Sequence, residues 1–223
     1  MIEEKESSYE KIKLDKSYLN YYKIIEKKLP YKFTYLDEWL LKKSKLLLNE
    51  TQEKQIKLKT YKRGTIIKAD FGVGIGSEMS KVHFAIVLNN YDNPKNNVLT
   101  VVPLTSKVGK FNLNLGTLIN DCIFETINKK LNRIKDVINS KKSLVPKEQL
   151  ECNKINTLID YYKNNIKLTY ACCSLITTIS KERIFLPINE YDIIGKTRCS
   201  DKIMDLIDKE IKDRFTKQIC PST

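Results

Sequence analysis

A single histidine, a single tryptophan and no CxxC pair stand in a chain of 223 residues. Resident zinc needs Cys and His ligands at short, regular spacing, and none is offered here, so neither a metal nor any other cofactor is expected. The six cysteines, Cys122, Cys152, Cys172, Cys173, Cys199 and Cys220, then read as free thiols of a reducing compartment. Adjacent Cys172 and Cys173 on one strand would point to opposite faces and not bond to each other. No apolar run approaches the roughly 20 residues that cross a bilayer, and the opening MIEEKESSYEK has no apolar signal region. A soluble, cytoplasmic protein with no membrane partner is the expectation. Internal repeats and low-complexity tracts are also missing. Glycines at 72, 74 and 76 suggest a phosphate cradle, but Ser77 stands where a G-x-G-x-x-G fingerprint needs glycine and no G-K-S/T follows, which excludes the common nucleotide-cofactor motifs.

Positive charge is abundant: the formal net charge is +13. By segment the balance is +4 over residues 1–60, +2 over 61–106, +6 over 107–167 and +1 over 168–223. The excess sits mainly outside the middle block. Two readings follow, basic helices that attract a polyanion such as RNA, or lysines that only solvate helix faces.

The middle block, residues 63–107, reads as three strands around one glycine-rich loop. Thr65, Ile67, Ala69 and Phe71 alternate with Ile66, Lys68 and Asp70, the period of a half-buried strand. Phe84 to Leu88 and Val98 to Val102 are β-branched-rich runs, and Asn89 to Pro94 between them carries turn chemistry, so a twisted antiparallel meander is expected. Before it, Leu14, Tyr18, Tyr21 and Ile25 mark a helix stopped by Pro30, after a polar and frayed stretch 1–10. Thr34 is placed to cap a second helix running from Leu36 toward Leu58, with Trp39 anchoring it on the core or on a second subunit. After the block, Phe111, Leu113 and Leu115 alternate as a strand ending at Gly116. Ile123, Ile127, Leu131, Ile134 and Ile138 form a helix face, as do Cys152, Ile155, Ile159 and Tyr162, with a bend at Leu144-Val145-Pro146, and such a pair would bury its seam internally. Lys167 to Thr178 should be one strand across the sheet centre, Arg183 to Ile188 a short edge strand, and Ser200 the cap of a last helix through Ile203, Ile207 and Ile211.

Arg63-Gly64, Gly76-Ser77-Glu78, the strand Phe84 to Leu88 and Pro103-Leu104-Thr105-Ser106 together resemble the MazF/PemK family of toxin endoribonucleases. Leu175 to Arg183 resembles the strand and turn that close the family's barrel. The two matching blocks, 61–107 and 167–188, cover under a third of the chain. The resemblance implies an α+β fold: a small SH3-like antiparallel β-barrel with an N-terminal helical hairpin, an inserted helix pair and a C-terminal helix. Residues 1–60 would form the N-terminal helical extension, and 61–223 the barrel domain with its insertion at about 118–165.

The resemblance also implies a type II toxin: a sequence-selective, metal-independent endoribonuclease that cuts single-stranded RNA by attack of the 2′-hydroxyl on the adjacent phosphate. A homodimer and a cognate antitoxin protein are the implied partners. The family's threonine matches Thr105, its loop glutamate matches Glu78, and its strand arginine is His83 here. His83, Thr105 and Glu78 are therefore the expected catalytic residues. Histidine suits the task, since near neutrality it serves as acid, base or phosphate donor; the alternative is a structural histidine. Glu78 is a base or a solvated carboxylate. Ser77, Lys81, Ser106, Lys107 and Thr177 are the expected RNA-binding residues, Thr177 standing where the family often has arginine. The glycines would let the loop swing over bound RNA, whose bases would lie on Phe84 or Tyr91. Two other readings stand beside this one, an inactive RNA- or protein-binding module of the same fold and a toxin with another target such as gyrase.

Overall fold

A computed structural model describes residues 2–27, 29–52, 58–141, 146–165, 168–189 and 191–217. Cys220, Leu144, Val145 and the expected strand start at Lys167 lie outside the described residues. The chain divides into two compact units, Met1–Ile56 with Phe71–Lys81, and Lys57–Asp70 with Val82–Thr223.

In the first unit α1 spans Ile2–Lys27 and α2 spans Leu36–Glu50, joined through Pro30 and a 3-10 turn at Tyr31–Tyr35. Helix α1 begins well before Leu14, because the Glu- and Lys-rich start has good helix formers and neither Gly nor Pro. Thr34 does not cap α2: its hydroxyl donates to the Tyr31 carbonyl at 2.9 Å, inside the 3-10 turn. The glycine-rich loop belongs to this unit. Gly72 (φ +72°) lies so close to Trp39 that a Cβ there would come within 2.3 Å of the indole. Trp39 therefore anchors α2 on the loop. The ammonium of Lys32 donates to the carbonyls of Gly74 and Gly76, each at 2.8 Å. Lys81, itself at φ +72°, donates to the Thr34 hydroxyl at 3.0 Å and lies 3.6 Å from the centre of the Tyr31 ring. These side chains hold a loop whose glycines alone suggest free motion.

The second unit is built on an antiparallel sheet of six strands: β1 (Ile66–Asp70), β2 (Val82–Val87), β3 (Val98–Thr105), β4 (Leu113–Gly116), β5 (Thr169–Ala171) and β6 (Thr177–Ser180). The order is β1-β2-β3-β5-β4, with β6 also on β3, so the sheet does not close by strand pairing. At β1, the chain after β6 contributes only bridges, Ala69 to Ile184 and Thr65 to Arg198. The stretch 183–188 is thus a bridge and not the expected edge strand. Register puts Ile66 opposite Ile86 and Ala85 opposite Pro103. Strand β1 is buried on both faces except at Lys68, rather than half-buried.

The expected long strand 167–178 is broken in two. Between β5 and β6 the chain makes a 3-10 turn at Cys173–Leu175. The cause is Pro103. Its carbonyl accepts from the Cys172 amide at 2.9 Å, so position 103 faces this edge of β3, and proline has no N–H to return. A continuous ladder would leave an acceptor unmatched here, and the chain turns instead.

Helices α3 (Leu118–Lys141) and α4 (Pro146–Asn165) follow β4, and α5 (Asp201–Phe215) ends the described fold. One buried cluster unites them with the sheet. Ile66, Ile86, Val102 and Ala171 meet Ile119, Ile123 and Ile127 of α3, Ile155, Leu158 and Tyr162 of α4, and Ile203 and Ile207 of α5. At about 25 cal/mol per Å² of apolar surface removed from water, each such side chain contributes on the order of 2 kcal/mol before entropy is counted. Two polar locks lie inside the unit. Tyr162 donates its hydroxyl to Asp192, which also accepts from the Ile188 amide at 2.7 Å and the Ile194 amide at 3.1 Å. Lys181 pairs with Asp92 at 2.7 Å, their side chains 2% and 0% exposed, and donates to the Asn93 carbonyl at 3.1 Å. The backbone N–H of Tyr61 donates to the other Asp92 oxygen at 2.8 Å.

Candidate active site

Residues of four strands of the second unit line one cavity of about 320 Å³. Strand β1 contributes Lys68, β2 contributes His83 and Phe84, and β3 ends in it with Leu104 and Thr105, followed by Ser106 and Lys107. The far wall comes from Ile119 of α3 and from Leu168 and Thr169 at the start of β5.

Antiparallel geometry explains the convergence. The described β2–β3 pairing reaches Ala85 opposite Pro103, and two residues further along each strand stand His83 and Thr105. Lys68 is paired with Phe84 and Ala69 with His83, so Lys68 and His83 belong to opposite faces of the sheet. The cavity takes its wall from both faces.

The imidazole of His83 is half-buried, and its Nδ1 lies 3.1 Å from the Leu104 carbonyl. A carbonyl oxygen only accepts, so Nδ1 is the N–H nitrogen of this bond. In the neutral ring the lone pair is then on Nε2. The Thr105 hydroxyl oxygen accepts from the Lys107 amide at 3.2 Å. That turn bond orients the hydroxyl while its own proton stays a donor. Ser106 and Lys107 are exposed at the rim.

The other expected residues are not among those lining this cavity. Ser77, Glu78 and Lys81 belong to the loop in the first unit. The Glu78 carboxylate accepts from the Ile75 amide at 2.9 Å, closing the loop on itself. Lys81 is engaged with Thr34 and Tyr31. Thr177 opens β6 opposite Val101 and is not part of the cavity wall. Tyr91, expected as a base platform, is 92% exposed in the β2–β3 turn and is likewise outside the cavity wall.

Lys68 and Ile119 are members of the cavity that motif reading passes over. In sequence Lys68 is one polar residue of an alternating strand, and Ile119 one residue of a helix face. Only the fold brings them beside His83.

The described cysteines are not part of the cavity wall. Cys172, Cys173 and Cys199 are buried free thiols, and Cys122 and Cys152 are half-buried and free. Burial pushes Cys172 and Cys173 up to about 11 and Cys199 up to about 12. Such thiols remain protonated and unreactive near neutrality. Among the described residues no helix is long and apolar enough to cross a membrane.

No curated protein matches the chain. Residues 62–215, well over half of the chain, match the family of the PemK-like, MazF-like toxin of type II toxin-antitoxin systems. That span takes in the sheet, the cavity, α3, α4 and all of α5, so membership rests on the fold as a whole and not on a short motif. With strand ends, cavity and helices all inside the matched span, the chain belongs to the PemK-like, MazF-like toxin family.

Proposed function

We propose that the protein is the toxin of a type II pair and acts as an endoribonuclease that cuts single-stranded RNA without a metal, in the cavity lined by β1, β2, β3 and β5. One observation carries the reading: His83, Thr105, Ser106 and Lys107, singled out by the resemblance, line a single cavity. Nε2 of His83 takes the proton of a ribose 2′-hydroxyl. The 2′ oxygen bonds to phosphorus, the bond from phosphorus to the 5′ oxygen breaks, and the leaving oxygen takes a proton from water. The products are a 2′,3′-cyclic phosphate and a 5′-hydroxyl. Thr105 and Ser106 donate hydroxyl protons to the phosphorane oxygens, and Lys107 draws the backbone to the rim. Glu78, the base that the family pattern suggests, accepts from the Ile75 amide within the first unit. Membership of a type II family implies an antitoxin partner; the RNA substrate and a homodimer are part of the proposal.

The test is incubation of the purified chain with RNA in EDTA. Cleavage to cyclic-phosphate ends is expected, with His83→Ala slower by about 100-fold or more, the usual worth of a general base. Thr105→Ala should lose on the order of 10-fold or more. Unchanged cleavage in both variants removes the site, and dependence on added metal removes the mechanism.

A further inference from the structure

Lys68 is the one residue of β1 that is not buried, and its surroundings are unusual for a lysine. Its ammonium donates to the Tyr161 hydroxyl at 2.7 Å, and lies 5.3 Å from the centre of the Tyr161 ring and 5.4 Å from that of Phe185. Phe185 is fixed beside it by its own backbone, since the Phe185 amide donates to the Lys68 carbonyl at 2.9 Å. Among the described residues no carboxylate is paired with Lys68. The Tyr161 hydroxyl and the Phe185 ring steady the cation without cancelling its charge. Ordinary partly buried lysines find a carboxylate, because desolvation of an ammonium is costly. This one instead faces two cavities. It lines the 320 Å³ cavity of His83 and Thr105, and also a smaller one of about 70 Å³ with Tyr161, Phe185 and Asp192. A cation kept uncompensated at the wall of a cavity is poised for an anion that arrives with the ligand.

We infer that Lys68 is the phosphate-binding cation of this cavity, and that the inserted helix α4, through Tyr161, positions it. This rests on the RNA reading above. Strand position 83 carries histidine, whose neutral form has no charge to offer a phosphate, and Lys81 is turned to Thr34 and Tyr31 within the loop unit. Lys68 supplies positive charge from the opposite face of the same strand pair. Tyr161 lies 93 residues away in the chain, in the segment between β4 and β5. The helix pair is then part of the site and not an ornament on it.

The experiment uses the full chain, a mixed-sequence single-stranded RNA and its uncleavable 2′-O-methyl form. Binding of the 2′-O-methyl strand is followed against salt for wild type, Lys68→Met, Lys68→Arg and Tyr161→Phe. Each phosphate neutralised on a single strand contributes about 0.7 to the slope of log affinity on log salt. Lys68→Met should lower that slope by about 0.7 and weaken low-salt binding on the order of 10-fold, and Lys68→Arg should restore both. Tyr161→Phe should keep the slope and lower kcat with little change in KM, as expected of a positioning residue. Thermal melting shows that each variant is folded. A folded Lys68→Met with the wild-type slope overturns the inference, whether or not the wild type cleaves. A wild type that binds with the stated slope loss in Lys68→Met but does not cleave upholds the phosphate contact and removes the nuclease reading. Absence of binding at low salt removes both.

Discussion

Asp92 shows how far a single buried carboxylate shapes this protein. Burial alone would raise its pKa, but bonds from Lys181, the Tyr61 amide and Asn96 outweigh it and hold the carboxyl below its ordinary 3.8. A group with a lowered folded value stabilises the fold at pH above its unfolded value, and that stability is lost as pH falls through the folded value. Stability should therefore drop in acid below about pH 4, and Asp92→Asn should flatten that drop. The variant should also be less stable near neutrality by roughly 3–5 kcal/mol, because it leaves Lys181 buried without its anion. Denaturant midpoints of both proteins between about pH 7 and about pH 3 measure the two effects, and a parallel acid loss in the variant would assign it to other carboxylates. At this scale His83, Thr105, Ser106 and Lys107 were legible because strand ends follow from alternation and from the family pattern. Lys68 was not. Its role depends on Tyr161 and Phe185, and no local pattern announces a contact across such a separation.

The loop Phe71–Lys81 is the element whose behaviour departs most from its sequence. Three glycines in five positions read as mobility, yet the backbone carbonyls of Gly74 and Gly76 are held by Lys32, and Gly72 by the Trp39 ring. Sequence reasoning set Trp39 on a helix facing the core or a second subunit, and the indole lies against Gly72 of the loop. Lys32→Ala should raise the opening equilibrium of the loop roughly fivefold, about 1 kcal/mol for two partly solvated charge-assisted bonds. Amide exchange at residues 72–78 would show it, and unchanged protection there would mean that Trp39 alone fastens the loop. Gly72→Ala is the harsher change: it adds a methyl where the indole is 2.3 Å away, at φ +72°. The positive φ alone costs about 1–2 kcal/mol and the overlap adds about 1–3. Trp39→Ala in the same chain should recover the second part and not the first. The break between β5 and β6 teaches the complementary lesson. Its signal, a proline in the middle of an apolar strand, was present at Pro103, but it acts on the neighbouring strand rather than on its own.

Over the whole molecule the main elements were legible and their union was not. Helical spacing found α3 and α4, with Ile123 to Ile138 and Cys152 to Tyr162 lying inside Leu118–Lys141 and Pro146–Asn165, because apolar residues at three and four steps leave little choice of face. It suggested a pair burying its seam internally. In the folded protein Ile123, Ile127, Ile155, Leu158 and Tyr162 belong instead to the buried cluster that contains Ile66, Ile86 and Val102 of the sheet. The inserted pair thus supplies six of the nineteen buried residues of that cluster. Ile123→Ala should then destabilise that unit by about 2–5 kcal/mol, the range for emptying a fully buried aliphatic site. If the pair were an independent appendage, its helical signal would melt early while near-ultraviolet dichroism of the remainder kept its wild-type midpoint. With a shared core, both signals shift together to the same lower midpoint. Cleavage at temperatures below that midpoint should be preserved, since Ile123 lies a full turn beyond Ile119, the residue with which α3 reaches the cavity wall.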